Sequence, residues 1–189
     1  MKLMRYSRRH ERAALARLGV LLDKDLVADL RAGYALYLAE EKGHSKGEQL
    51  ASLYMPPYIT QFLHVGEPAW EALGEAFVWL SDIARSDPDA TGLSDEALFL
   101  PLHECRLYAP VRPSKLIAVG RNYPEYVKQP GKQHGDVPVG FFKPPSSLLG
   151  PGRDIIKPRE TRQLDCETEL AVVIGKKCKN VSEAEAYGV

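Results

Sequence analysis

The chain's 189 residues hold 25 Lys plus Arg against 25 Asp plus Glu, a formal charge of +0, so nothing in the overall charge calls for nucleic acid or an anionic membrane as partner. With 44% hydrophobic side chains it has enough apolar material for one sizeable core with room for a small accessory domain, but no stretch reaches the ~20 apolar residues of a membrane span. Cys105, Cys166 and Cys178 are too few and too scattered for a disulfide framework or for paired zinc ligands; reduced thiols and a cytoplasmic setting are the expectation.

Taken in chain order, Arg5, Arg8, Arg9 and Arg12 give a basic start that no signal-like apolar run follows. Residues 18–22 suit a short strand. Residues 25–41 place Leu26, Leu30, Tyr34 and Leu38 at helical spacing, and residues 68–85 do the same with Trp70, Leu73, Phe77 and Leu80. Pro56 and Pro57 break the chain between them, because proline removes an amide donor and restricts its predecessor. Residues 1–106 therefore read as a mostly helical N-terminal accessory region. His10, His44, His64 and His103 have no partner at ligand spacing and read as surface or half-buried side chains.

Beyond residue 107 the pattern changes to short strands punctuated by proline and glycine. Residues 116–119 predict a strand, followed by a turn at Gly120, Arg121, Asn122 and Tyr123. Phe141 and Phe142 predict another strand, running into Lys143 and two prolines. Arg121 is a candidate for pairing a substrate carboxylate, and Lys143 for holding an anionic group. Residues 164–174 predict an edge-to-core strand in which Asp165, Glu167 and Glu169 share one face and Cys166 points away into the core. Clustered carboxylates need a counter-charge, and hard divalent ions suit their oxygens. Ser182 and Glu185 have the spacing of a capping box that opens a short helix.

The blocks from Lys115 to Tyr123, from Pro138 to Gly152, through the acidic stretch and on to Asn180–Glu185 resemble, in order and spacing, the fumarylacetoacetate hydrolase family. The resemblance implies an α+β fold with a mixed β-sheet roll, of which residues 107–189 would be the first part of the catalytic domain. It also implies a divalent cation, Mg²⁺ foremost with Mn²⁺ or Ca²⁺ as alternatives, held by Glu167, Glu169 and an aspartate later in the family's chain. A small-molecule carboxylate substrate, a 2-oxo or β-diketo acid, and a homodimer follow from the same resemblance. On this reading the chain is a fragment that stops before its third ligand.

One departure from the family pattern bears on the reaction. Where hydrolytic members carry a His-x-x-Glu pair that activates water, this chain has Tyr126 and Gln129. A phenol ordinarily titrates near ~10 and an amide not at all, so neither replaces a base near neutral pH. His134, with Asp136 two residues on in a glycine-rich segment, is the nearest substitute base. The expected function is thus a metal-dependent enzyme of the hydrolase or lyase type working through an enolate. The competing expectation is a catalytically inactive homologue with a structural or regulatory role.

Overall fold

The computed structural model describes residues 1–128 and 137–189, which fall into two compact units, Met1–Pro110 with Gly150–Val189, and Val111–Leu149. The architecture is α+β, and every described strand pairing is antiparallel. Among the described residues no helix is long and apolar enough to cross a membrane.

The first unit is organised by a sheet that the basic N-terminus conceals. Strands β1 (Lys2–Arg8), β2 (Arg17–Leu21), β3 (Leu26–Asp29), β4 (Phe99–Pro101) and β5 (Cys105–Tyr108) lie in the order β4-β3-β2-β1-β5. The expectation of a mostly helical accessory region is corrected here: helices α1 (Leu30–Glu40), α2 (Gly47–Tyr54), α3 (Ile59–Val65) and α4 (Glu67–Ser86) are present, but they accompany a five-stranded sheet. The arginines obscured β1. Arg5, read as part of a charge run, is a strand residue only 4% exposed, its guanidinium carbon 4.5 Å from the Tyr58 ring centre and 5.0 Å from that of Tyr108. Two π faces there take over part of what water gives an exposed arginine.

Strand register divides the sheet's side chains between two faces. Met4 pairs with Gly19, and Gly19 with Asp29, placing Tyr6, Val27, Leu100 and Cys105 in one buried cluster. The absence of a side chain at Gly19 is what admits the Tyr6 ring, since a Cβ there would lie 2.7 Å from Cε1 of that ring. Helix α1 packs across β2 and β3 and against α2 and α4.

The helical stripe expected from residue 25 begins instead at Leu30, because Asp29 caps it: its carboxylate accepts the Ala32 amide at 3.0 Å, and the preceding residues extend into β3. Leu30, Tyr34 and Leu38 are buried as the spacing required. In α4, Ala69, Ala72, Leu73, Ala76 and Leu80 form the buried seam, while Trp70 is half exposed and meets Phe62 edge-on at 4.9 Å. Small residues at the seam let α1 and α4 approach closely, so that a Cβ on Gly33 would lie 2.6 Å from Leu80 Cδ2.

The second unit holds strands β6 (Leu116–Gly120) and β7 (Val139–Lys143) as an antiparallel pair, with the short helix α5 (Pro124–Val127) between them in sequence. Both strands were expected close to these bounds. The strand expected at residues 164–174 is not formed: that stretch carries no regular secondary structure, and Leu170, Val172 and Ile174 are 84%, 77% and 63% exposed. High β propensity does not by itself make a strand, since the backbone groups need a neighbouring strand to pair with, and none of the described strands lies alongside.

Candidate functional site

Glu167 and Glu169 stand in the irregular segment of the first unit, both exposed. Without a strand, the alternation that would set both carboxylates on one face of a sheet is not imposed. Cys166, expected to face the core behind them, is exposed as well, which corrects that expectation for the same reason. Asp165 accepts a hydrogen bond from the Gln163 amide at 2.9 Å. Among the described residues no group of three His, Cys, Asp or Glu side chains is placed to hold a metal ion. The donor set fits a hard divalent cation in kind, being two carboxylates, and falls short of it in number.

In the second unit Arg121 follows β6 in a tight turn with φ of 58°, a left-handed backbone that non-glycine residues seldom adopt. Its side chain is exposed. Lys143 closes β7, with its Nζ 5.3 Å from the centre of the Phe141 ring two residues earlier on the same strand face. Gly120 pairs with Val139 and Leu116 with Lys143, so the two cations lie at opposite ends of this hairpin. Five-residue strands rise ~3.4 Å per residue, which separates those ends by roughly 14 Å. Glu125 sits in α5 and is exposed. Gln129, His134 and Asp136 lie outside the described residues.

The most developed polar cluster is one that sequence reasoning missed, in the first unit around Asp29. This carboxylate is 3% exposed. It accepts the Tyr6 hydroxyl at 3.0 Å on one oxygen and the Ala32 amide at 3.0 Å on the other, with Arg17 Nη1 3.6 Å away. Arg17 also pairs with Glu11, which accepts the Arg8 amide at 2.9 Å. Burial raises the pKa of Asp29, and the Ala32 amide, Arg17 and the Tyr6 hydroxyl offset only part of that. Burial and the adjacent Asp29 charge push the Tyr6 phenol well above its ordinary range. Burial opposes ionisation of Glu11, yet the hydrogen bonds from Arg17 and Arg8 prevail and lower its pKa.

A cavity of about 560 Å³ opens beside this cluster, lined by Arg17, Asp29 and Arg31 as well as apolar side chains such as Met55. One Asp29 oxygen accepts from β1 and the other from the start of α1, so the cluster ties strand to helix. The one sequence signal for it was an aspartate immediately before the apolar stripe of α1. Tyr6 and Arg17 become its neighbours only through the pairing of β1, β2 and β3.

Comparison with known proteins places the second half of the chain. Residues 115–189 match the family described as "Fumarylacetoacetate (FAA) hydrolase C-terminal". An uncharacterised protein of Pyrococcus horikoshii is 45% identical over 80 residues, 42% of this chain and 35% of that protein. The "Fumarylacetoacetate hydrolase domain-containing protein 2 homolog" of Dictyostelium discoideum is 41% identical over 87 residues, 46% of this chain and 28% of that protein. The human protein named "Oxaloacetate tautomerase FAHD2A, mitochondrial" is 35% identical over 133 residues, 70% of this chain and 37% of that protein. Residues 115–189 belong to the fumarylacetoacetate hydrolase family. The human alignment is longer than the family match, so the likeness also takes in residues before 115. The chain spans about a third of the length of the curated relatives it matches.

Proposed function

We propose that this chain is part of an enzyme that interconverts or cleaves a small 2-oxo acid through its enol or enolate form, with isomerisation or decarboxylation favoured over hydrolysis. The observation that carries the reading is the pair Glu167 and Glu169 within the family-matched segment 115–189. The long alignment to a relative named as an oxaloacetate tautomerase supports the isomerase side, and the residues Tyr126 and Gln129 in place of a His-x-x-Glu pair weigh against water activation.

In this reading Glu167 and Glu169 supply two oxygen donors to a divalent cation, with Mg²⁺ the first choice. When bound, such an ion supplies Lewis acidity to the 2-oxo and carboxylate oxygens of the substrate. Arg121 is assigned to the substrate's carboxylate, because it projects from a tight turn at the end of β6 and a guanidinium can grip a carboxylate with two hydrogen bonds. Lys143, at the other end of the hairpin and over the Phe141 ring, is the weaker substrate ligand of the two. His134 is assigned the proton transfer at the carbon next to the carbonyl. The sheet roll of the family and a homodimer belong to the same proposal.

The test is to titrate the chain with Mn²⁺, following binding calorimetrically and by the ion's paramagnetic resonance, and to follow oxaloacetate tautomerisation with and without Mg²⁺. Replacement Glu169→Ala should abolish both metal binding and the metal-dependent rate. Unchanged Mn²⁺ affinity in that variant would refute the ligand assignment. Metal binding with no turnover of oxaloacetate or a related 2-oxo acid would favour the inactive homologue instead.

A further inference from the structure

At the C-terminal end of β1 another cavity, of about 340 Å³, is lined by Arg8, Arg9, His10, Leu100, His103 and Glu104. Its walls are fixed by backbone pairing: Arg8 stands opposite Cys105 in the β1–β5 ladder, and the Arg9 amide donates to the Glu104 carbonyl at 3.0 Å. Two arginines and two histidines therefore line one hollow whose only acidic lining residue is Glu104. The neighbouring acid, Glu11, is already engaged by the Arg8 amide and the Arg17 side chain.

The Arg8 side chain supplies an independent observation. Its Nε is buried and has no hydrogen-bond partner. A buried donor on a charged group is costly to leave unmet, and the same arginine lines the cavity, where a guanidinium suits an oxyanion. The cavity is of the size that takes a small organic molecule or ion, and Leu100 gives it an apolar floor.

From this lining we propose that the pocket at the end of β1 binds a small multivalent oxyanion, a phosphate group or a compact dicarboxylate, through Arg8 and Arg9 with His103 as an additional donor. The site lies wholly within the first unit and does not depend on the metal or substrate assignments above. Glu104 acts against the ligand and sets its affinity.

The experiment is calorimetric titration of the chain with inorganic phosphate and, separately, with malonate, at constant ionic strength set by NaCl. Saturable one-to-one binding is expected for at least one of them, with a Kd in the millimolar range or tighter, weakening as salt rises. Phosphate alone would mark a site for a tetrahedral group; binding of both would mark one for dianions generally. Arg8 is partly buried in β1 and its replacement could disturb the sheet, so the decisive variants are at the exposed positions: Arg9→Gln should weaken binding about tenfold, and Glu104→Gln should tighten it several-fold. Failure of both ligands to saturate at about 10 mM, well above a millimolar Kd, would overturn the proposal. So would affinities indifferent to both substitutions in variants whose circular dichroism matches the parent chain.

Discussion

Replacing Asp29 by alanine removes two interactions at once, and the structure allows the cost to be worked out. The cap on α1 is lost, worth ~1 kcal/mol for an aspartate at that position. The hydroxyl of Tyr6, a fully buried residue, is left without its acceptor, which costs ~1–3 kcal/mol. Against this, the variant no longer has to keep a poorly solvated carboxylate buried, so a net destabilisation of about 2 kcal/mol is expected, read from urea unfolding followed by circular dichroism. The pH dependence gives a sharper test. Because the folded chain raises the Asp29 pKa, it binds that proton more tightly than the unfolded chain does. The residue's contribution to stability is therefore greatest below the unfolded value, near ~4, and declines as pH rises through the folded one. Glu11 has the opposite slope, its contribution being lost as pH falls, but it is common to both proteins and cancels from their difference. The cost of Asp29→Ala should thus be larger at about pH 4 than at about pH 7. Asp29→Asn, which keeps an acceptor for the Ala32 amide, should stay within ~1 kcal/mol of the parent chain. A cost below ~0.5 kcal/mol for alanine, or one that grows with pH, would refute the account of this carboxylate as a buried anchor.

Two further predictions rest on packing and on exposure. Gly33→Ala should destabilise the first unit by about 1 kcal/mol: the helical gain of ~0.5–1 kcal/mol is outweighed by overpacking of ~1–3 kcal/mol, since the new Cβ would lie 2.6 Å from Cδ2 and 2.8 Å from Cδ1 of the fully buried Leu80. Thermal melts would show it, and a rise in Tm would sink the argument. Burial pushes the Cys105 thiol up to about 11, with Glu104 adding to the shift, whereas Cys166 and Cys178 are exposed. A thiol reagent at pH 8 should accordingly label two cysteines promptly and the third only after unfolding, and prompt labelling of all three would contradict the placement of Cys105 in the core.

The sequence by itself determined the elements whose signals are local. The apolar stripe Leu30, Tyr34 and Leu38 specified α1, the proline pair ended α2 before α3, and the apolar run at residues 116–119 marked β6. Several blocks in register at residues 115–189 marked the family, because a string of motifs survives in the sequence whether or not the chain around it is folded. Local pattern could not reveal β1. Its arginines read as a solvated charge run until the sheet brought Tyr108, and the α2–α3 link brought Tyr58, against Arg5. The Asp29 cluster and the cationic pocket at the end of β1 likewise join residues far apart in sequence, held together by ladder register. The acidic segment shows the converse. Residues 164–174 have the alternation and composition of a strand, yet a strand exists only where another backbone completes its hydrogen bonds, and that condition is set by tertiary structure alone.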